Sequence, residues 1–144
     1  MKVSDINYLA DAGPLVALMN KSDQWHGWAA PAIHALGDTL HTTESVLAEV
    51  CYLLRWQREA IAGLLAAMAN GTICVHPVFP EQTLRVRVLM GKYAQMDLAD
   101  ASLVVLSERY PHAKLITTDR RDFTVYRRND NNPVPCLMPP EQAA

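Results

Sequence analysis

Short apolar runs alternate along this chain with longer stretches in which apolar residues recur every three or four positions. Residues 6–10 (INYLA) read as a short buried strand. The GPLVALMN after Asp11 reads as a turn entering a helix, with Pro14 in its first turn. Residues 23–36 space Trp25, Trp28, Ala29, Ile33 and Leu36 as a helix does, and Pro31 is expected to kink it or to start a second segment. TLHT is a second short strand. Thr42 or Thr43 caps the next helix, residues 44–56, whose Val46, Leu47, Val50, Cys51, Leu53 and Leu54 form one broad stripe. A further helix over residues 58–69 stops at Asn70-Gly71, and TICVHP is a strand ended by Pro77. Residues 81–93 set Leu84, Val88 and Leu89 against a cationic face of Arg85, Arg87 and Lys92. Residues 98–109 are apolar nearly all round, which marks a buried, central helix. KLITT is the next strand, and one edge strand is expected near residues 134–138.

Strands that alternate with helices argue for a parallel sheet covered on both faces, an α/β fold. No repeat, low-complexity block or linker divides the 144 residues, so residues 1–144 are expected to form one domain. Half the residues are hydrophobic and 19% are charged, as in a globular protein. The formal net charge of −2 sets no strong field, yet a local basic patch can still meet nucleic acid. Three widely spaced cysteines without a CxxC point to a reducing compartment rather than a disulfide framework. The N-terminus lacks a signal-peptide pattern and no apolar stretch approaches a membrane span, so a cytoplasmic protein is expected.

Chemistry enters through the acids. Asp11 and Asp119 each follow a predicted strand, while Glu49 and Asp100 lie one or two turns into helices. Each has an ordinary structural explanation: an N-cap for Asp11, a snorkelling side chain for Glu49, a capping pair for Asp97 and Asp100, an Asx-turn for Asp119. Taken together they share a setting. Ligands of open parallel sheets bind outside the carboxyl ends of the strands, where the strand order reverses. If the first and fourth strands are neighbours there, all four acids face one crevice. Carboxylates that close repel by a few kcal/mol per pair at an effective dielectric of about 20, so they stay ionised together only around a cation. A donor set of oxygens alone selects a hard ion, Mg²⁺ or Mn²⁺, and suits phosphodiester hydrolysis. His26 and His34, two turns apart with no HExxH, make a poor chelating pair.

The ordered set LADAGPLVAL, TTESVLAEVCYLL, MDLADASLVVL and LITTDRRDF resembles the PIN domain family, and most closely its VapC-like ribonuclease toxins. The resemblance covers residues 6 to about 126. It implies a three-layer α/β/α fold with a five-stranded parallel sheet of order 3-2-1-4-5, and Mg²⁺- or Mn²⁺-dependent RNA cleavage. It also implies a homodimer held in check by a small antitoxin protein. By the same resemblance Asp11, Glu49, Asp100 and Asp119 are the catalytic, metal-binding acids. Asp97, Thr117 and Asp122 are candidates for the surrounding layer. Arg120, Arg121, Arg127 and Arg128 lie near the site in sequence and are candidates for guiding the RNA backbone. The proline-bearing tail departs from the family pattern at the fifth strand.

Two rivals fit less well. A haloacid-dehalogenase phosphatase needs DxD after its first strand, and here Asp11 is followed by Ala12-Gly13; a receiver domain needs an early acid pair and a late lysine. A catalytically inactive PIN-like module that binds RNA or a protein partner is the other alternative, against which the full set of four acids speaks.

Overall fold

The computed structural model describes residues 6–141. Among them, five strands form one parallel sheet: β1 (Tyr8–Ala10), β2 (Leu40–Thr43), β3 (Ile73–His76), β4 (Lys114–Ile116) and β5 (Cys136–Leu137). Their order is β3-β2-β1-β4-β5, as the family resemblance implied, with Leu9 opposite both His41 of β2 and Leu115 of β4. The chain therefore steps outward from β1 in one direction through β2 and β3, then returns to build β4 and β5 on the other side. The reversal falls between β1 and β4.

Helices cover both faces: α1 (Ala12–Met19), α2 (His26–Leu36), α3 (Glu44–Leu53), α4 (Arg58–Ala69), α5 (Thr83–Lys92), α6 (Leu98–Arg109) and the short α7 (Arg120–Phe123). The helix α1 packs on α2, α3 and α4, while α6 packs on α3, α5 and β2. α6 is the central one. Every residue from Ala101 to Leu106 is buried, and Ser107 with them, so its middle shows no solvent face, as its sequence predicts. Leu103 and Leu106 pack with Leu9, Leu15, Val46 and Leu115 in the shared core. Each fully buried leucine contributes about 1.5–3 kcal/mol.

Several boundaries differ from the sequence expectation. α2 begins only at His26 and runs through Pro31 as a single element. Pro31 and Gly27, whose carbonyl loses its partner, are both exposed, so water can take the bond that proline cannot donate. That helix ends at Gly37, whose φ of 58° is the left-handed conformation that glycine adopts at little cost. Leu53 leaves the stripe of α3 and is exposed, because the helix ends there and Leu54 turns inward instead. The fifth strand is the two-residue β5, parallel to β4. Among the described residues, no helix is long and apolar enough to cross a membrane.

Candidate active site

Asp11 is the first residue beyond β1, and its N–H donates to Ile116 O at 3.0 Å, so β1 and β4 stay bonded up to the point where both leave the sheet. Its carboxylate then does two things. Oδ1 accepts from Ala12 N–H at 2.7 Å and caps α1, while Oδ2 accepts from the buried Thr117 hydroxyl at 2.7 Å. Thr117 Oγ1 in turn accepts from Asp119 N–H at 3.0 Å, so one hydroxyl ties the chain after β1 to the chain after β4. The approach is close: a Cβ on Gly13 would collide with Thr118 Oγ1.

Asp119 and Asp97 are each helix caps. Asp119 Oδ1 accepts from Asp122 N–H at 3.0 Å at the start of α7, and Asp97 Oδ1 accepts from Asp100 N–H at 2.8 Å at the start of α6. Capping and site geometry do not compete, because a carboxylate at a helix N-terminus has a second oxygen left to face the crevice. Asp100 Oδ2 accepts from Tyr126 OH at 2.8 Å. Tyr126 is fully buried, edge-on to Tyr93 and Phe123, with ring centroids 5.1 and 5.2 Å apart. Glu49 lies half-buried on α3. The orientation of that helix is fixed by a buried relay. Thr43 Oγ1 accepts from Val46 N–H at 3.2 Å and lies 2.7 Å from Ser102 Oγ, which donates to Ala99 O.

These elements bring the acids together. One carboxylate oxygen from each of Asp100, Asp119 and Asp122 lies within 4.8 Å of the other two. Burial pushes the Asp11 carboxyl up to about 6; the Thr117 and Ala12 bonds oppose this, and the charges of Asp119 and Asp97 add to it. Burial also pushes Asp100 up to about 7, against the Tyr126 bond and with the help of Asp97, Asp11 and Asp119. Glu49 is raised by burial and then by Asp97, Asp11 and Asp119. Asp122 is raised by burial and by Asp119, against the charge of Arg121. Glu49 thus joins the cluster through its field, whereas Asp122 stands nearer to Asp100 and Asp119 than its sequence setting foretold.

Among the described residues, the ion pairs are Arg85–Glu108, Arg120–Glu141 and Arg128–Asp130, and none of them engages these acids. Carboxylates whose proton affinity is raised first by burial and then by one another, with only oxygen donors on offer, fit a hard divalent ion.

The four arginines fall into different roles. Arg127 donates to the carbonyls of Thr124, Val125 and Tyr126, closing the turn after α7. The Arg128 side chain is only 8% exposed and donates to Pro111 O at 2.9 Å. Arg120 donates to Pro139 O at 2.7 Å and reaches Glu141 at 3.6 Å. Arg121 is exposed. On α5, Arg85 is held by Glu108 through two bonds of 3.0 and 2.7 Å, which withdraws it from the cationic face read in the sequence.

Tyr126 and Ser102 escaped the sequence reading. Tyr126 belongs to no motif; its spacing of three from Phe123 signals shared packing and nothing about Asp100. Ser102 lies within an apolar helix, where a lone hydroxyl is more often a packing residue than part of a relay.

A family model for the PIN domain matches residues 8–129. Ribonuclease VapC26 of Mycobacterium tuberculosis (strain ATCC 25618 / H37Rv) is 27% identical over 123 residues, covering 83% of this chain and 91% of the relative. Among solved structures, Mycobacterium tuberculosis VapC20, described as a sarcin-ricin loop cleaving toxin, matches with a TM-score of 0.66 at 18% identity. That match covers 76% of this chain and 87% of VapC20. PAE2754 from Pyrobaculum aerophilum matches with a TM-score of 0.52 at 24% identity, covering 83% of this chain and 79% of that one. Both structures share the fold. The family match runs from β1 past the last of the clustered acids, and the chain therefore belongs to the PIN domain family.

Proposed function

We propose that this protein is a divalent-metal-dependent endoribonuclease, the toxin of a toxin–antitoxin pair. The observation that carries the reading is the cluster of the Asp100, Asp119 and Asp122 carboxylates, with Asp11, Glu49 and Asp97 near enough for their charges to be felt there, and with no ion pair to these acids among the described residues. Its relative VapC26 is named a ribonuclease, which supports RNA as the substrate. In this reading Asp11, Glu49, Asp100 and Asp119 hold Mg²⁺ or Mn²⁺, and Asp97, Asp122 and Thr117 surround them. Such an ion, when bound, activates water, orients a phosphodiester for in-line attack and neutralises the leaving oxygen.

The protein's own side chains do the rest. Thr117 fixes the Asp11 carboxylate by donating to Oδ2, and its bond from Asp119 N–H keeps both acids in register. Tyr126 donates to Asp100 and lowers the proton affinity that burial raises. Arg121 is exposed and its charge acts on Asp122, which supports it as a contact for the RNA backbone. A partner surface is supported on the far end of α3, where Tyr52 and Trp56 are 63% and 79% exposed beside Leu53. Large apolar groups in that density suit a protein contact, either a second copy in a homodimer or a small antitoxin. RNA cleavage by a toxin of this kind takes place in the cytoplasm.

The test is cleavage of an end-labelled RNA by the purified chain with Mg²⁺ or Mn²⁺, compared with chelator and with Asp11→Asn. The wild type is expected to cut only with the ion, and the variant to keep its circular dichroism while losing cleavage by several orders of magnitude. Cutting that persists in Asp11→Asn or in chelator overturns the mechanism.

A further inference from the structure

We infer that His41, Cys74 and His76 form a second metal site, one for a borderline-soft transition ion such as Zn²⁺, on the β2–β3 side of the sheet. The register dictates the cluster. Cys74 and His76 are two residues apart on β3, so they project from the same face, and His41 of β2 is the direct partner of Cys74. The ligating atoms of the three side chains all lie within 4.8 Å of one another. Around a tetrahedral Zn²⁺, with bonds of about 2.0–2.3 Å, ligand atoms sit roughly 3.3–3.8 Å apart, so only small side-chain adjustments separate this arrangement from a coordination sphere.

A second observation points the same way. His41 is fully buried, and its Nδ1 lies 2.8 Å from His76 Nε2, so one of these nitrogens carries a proton and the other a lone pair. Neither tautomer of the pair satisfies His41, because its Nε2 is buried and has no partner among the described residues. A buried polar atom left over in this way calls for an explanation, and an ion is one. With Nδ1–H donating to His76, His41 Nε2 keeps an unused lone pair, and an ion would take it up. Cys74 and His76 are half-exposed, so the cluster opens to solvent on one side. That opening gives an entry path and a fourth position for water or an outside ligand. The Tyr110 ring stands edge-on to His76, with centroids 5.4 Å apart, and walls another side.

Two imidazoles and a thiolate select against Mg²⁺, just as the all-oxygen crevice between β1 and β4 selects for it. Binding breaks the Cys74 S–H bond and forms a sulfur–metal bond, the proton leaving to solvent with no change of oxidation state. The ion would clamp edge strand β3 to β2, which runs directly into Thr43 and the start of α3.

The test uses the full chain with Cys51→Ser and Cys136→Ser, leaving Cys74 as the sole thiol, and Co²⁺ as a spectroscopic probe. One equivalent of Co²⁺ is expected to give a thiolate-to-cobalt charge-transfer band in the near ultraviolet. The band should survive excess Mg²⁺ and Asp100→Asn, disappear on adding Zn²⁺, and be lost in Cys74→Ser and His76→Ala. Zn²⁺ should also slow alkylation of Cys74 about tenfold or more, a readout that needs no change to the three ligands. Absence of the band, its persistence in His76→Ala, or alkylation at the same rate with and without Zn²⁺ would overturn the site.

Discussion

Tyr126 donates its phenolic proton to Asp100 Oδ2 at 2.8 Å from a fully buried position. The bond is one of the few forces that favour the ionised form of Asp100, whose burial among other acids otherwise lifts its pKa to about 7. Tyr126→Phe keeps the ring and removes the donor. The carboxyl should then hold its proton to still higher pH. The acid limb of the pH–rate profile for RNA cleavage should move to higher pH, and the rate at neutral pH should fall about tenfold or more. Stability should change by only about 1 kcal/mol. A profile that superposes on the wild type would remove Tyr126 from the site.

Thr117 invites a sharper substitution, because it bonds in both directions. Thr117→Val removes the donor to Asp11 Oδ2 and the acceptor for Asp119 N–H together, while Thr117→Ser keeps both and gives up a methyl group. Partners that orient ligand carboxylates typically contribute 10–100-fold to metal affinity or activity, roughly the loss expected for valine. Serine should retain most of the rate. Equal rates in the two variants would mean that Thr117 matters for packing alone.

Stability should depend on pH in an unusual direction. The folded carboxyls of Asp11 and Asp100 hold protons up to about 6 and about 7, whereas the unfolded chain releases them near 3.8. Between those values the native state binds more protons than the unfolded one, so stability in chelator must fall as pH rises from about 4 to about 7. The contribution of Asp11 alone is on the order of 3 kcal/mol, present below its unfolded pKa and lost above the folded one. Thermal melts in chelator should therefore give a higher Tm at pH 5 than at pH 8, with Mn²⁺ restoring most of the difference at pH 8. A metal-free Tm that is flat or rises over this range would refute the linkage.

Much of this was legible in the sequence wherever one local rule acts alone. The apolar run of α6 behind the cap at Asp97 set that helix from end to end, and the acids after KLITT and INYLA marked the strand ends. Pro31 starts no second segment, because the cost of an interior proline depends on whether the orphaned carbonyl at Gly27 can reach water, which a propensity does not record. Leu53 was misread for a similar reason: a periodic stripe continues on paper past the point where the helix stops. What could not be read were contacts decided by where the C-terminal segment lands. The partnership of Tyr126 with Asp100 is one, and the burial of Arg128 against Pro111 is another. The cluster of His41, Cys74 and His76 depends on strand register, which pairs residues more than thirty positions apart.

Placement of the basic residues separates two kinds of arginine that charge alone cannot tell apart. The Arg128 guanidinium lies beneath the surface and donates to the carbonyls of buried Ser107 and exposed Pro111, so Arg128→Ala removes both bonds together with the packing of a buried side chain. That should cost about 1–3 kcal/mol and lower the Tm. Where the variant stays folded, the salt dependence of its RNA binding should be unchanged. Arg121 is exposed, so Arg121→Ala should leave the Tm alone. Losing one phosphate contact should instead weaken RNA binding most at low salt and flatten the plot of log affinity against log salt by roughly 0.7 for a single-stranded RNA. Binding by filter retention over a salt series, with Asp11→Asn added to prevent cleavage, reads both effects. An Arg121→Ala slope equal to the parent's would move the RNA track elsewhere on the surface.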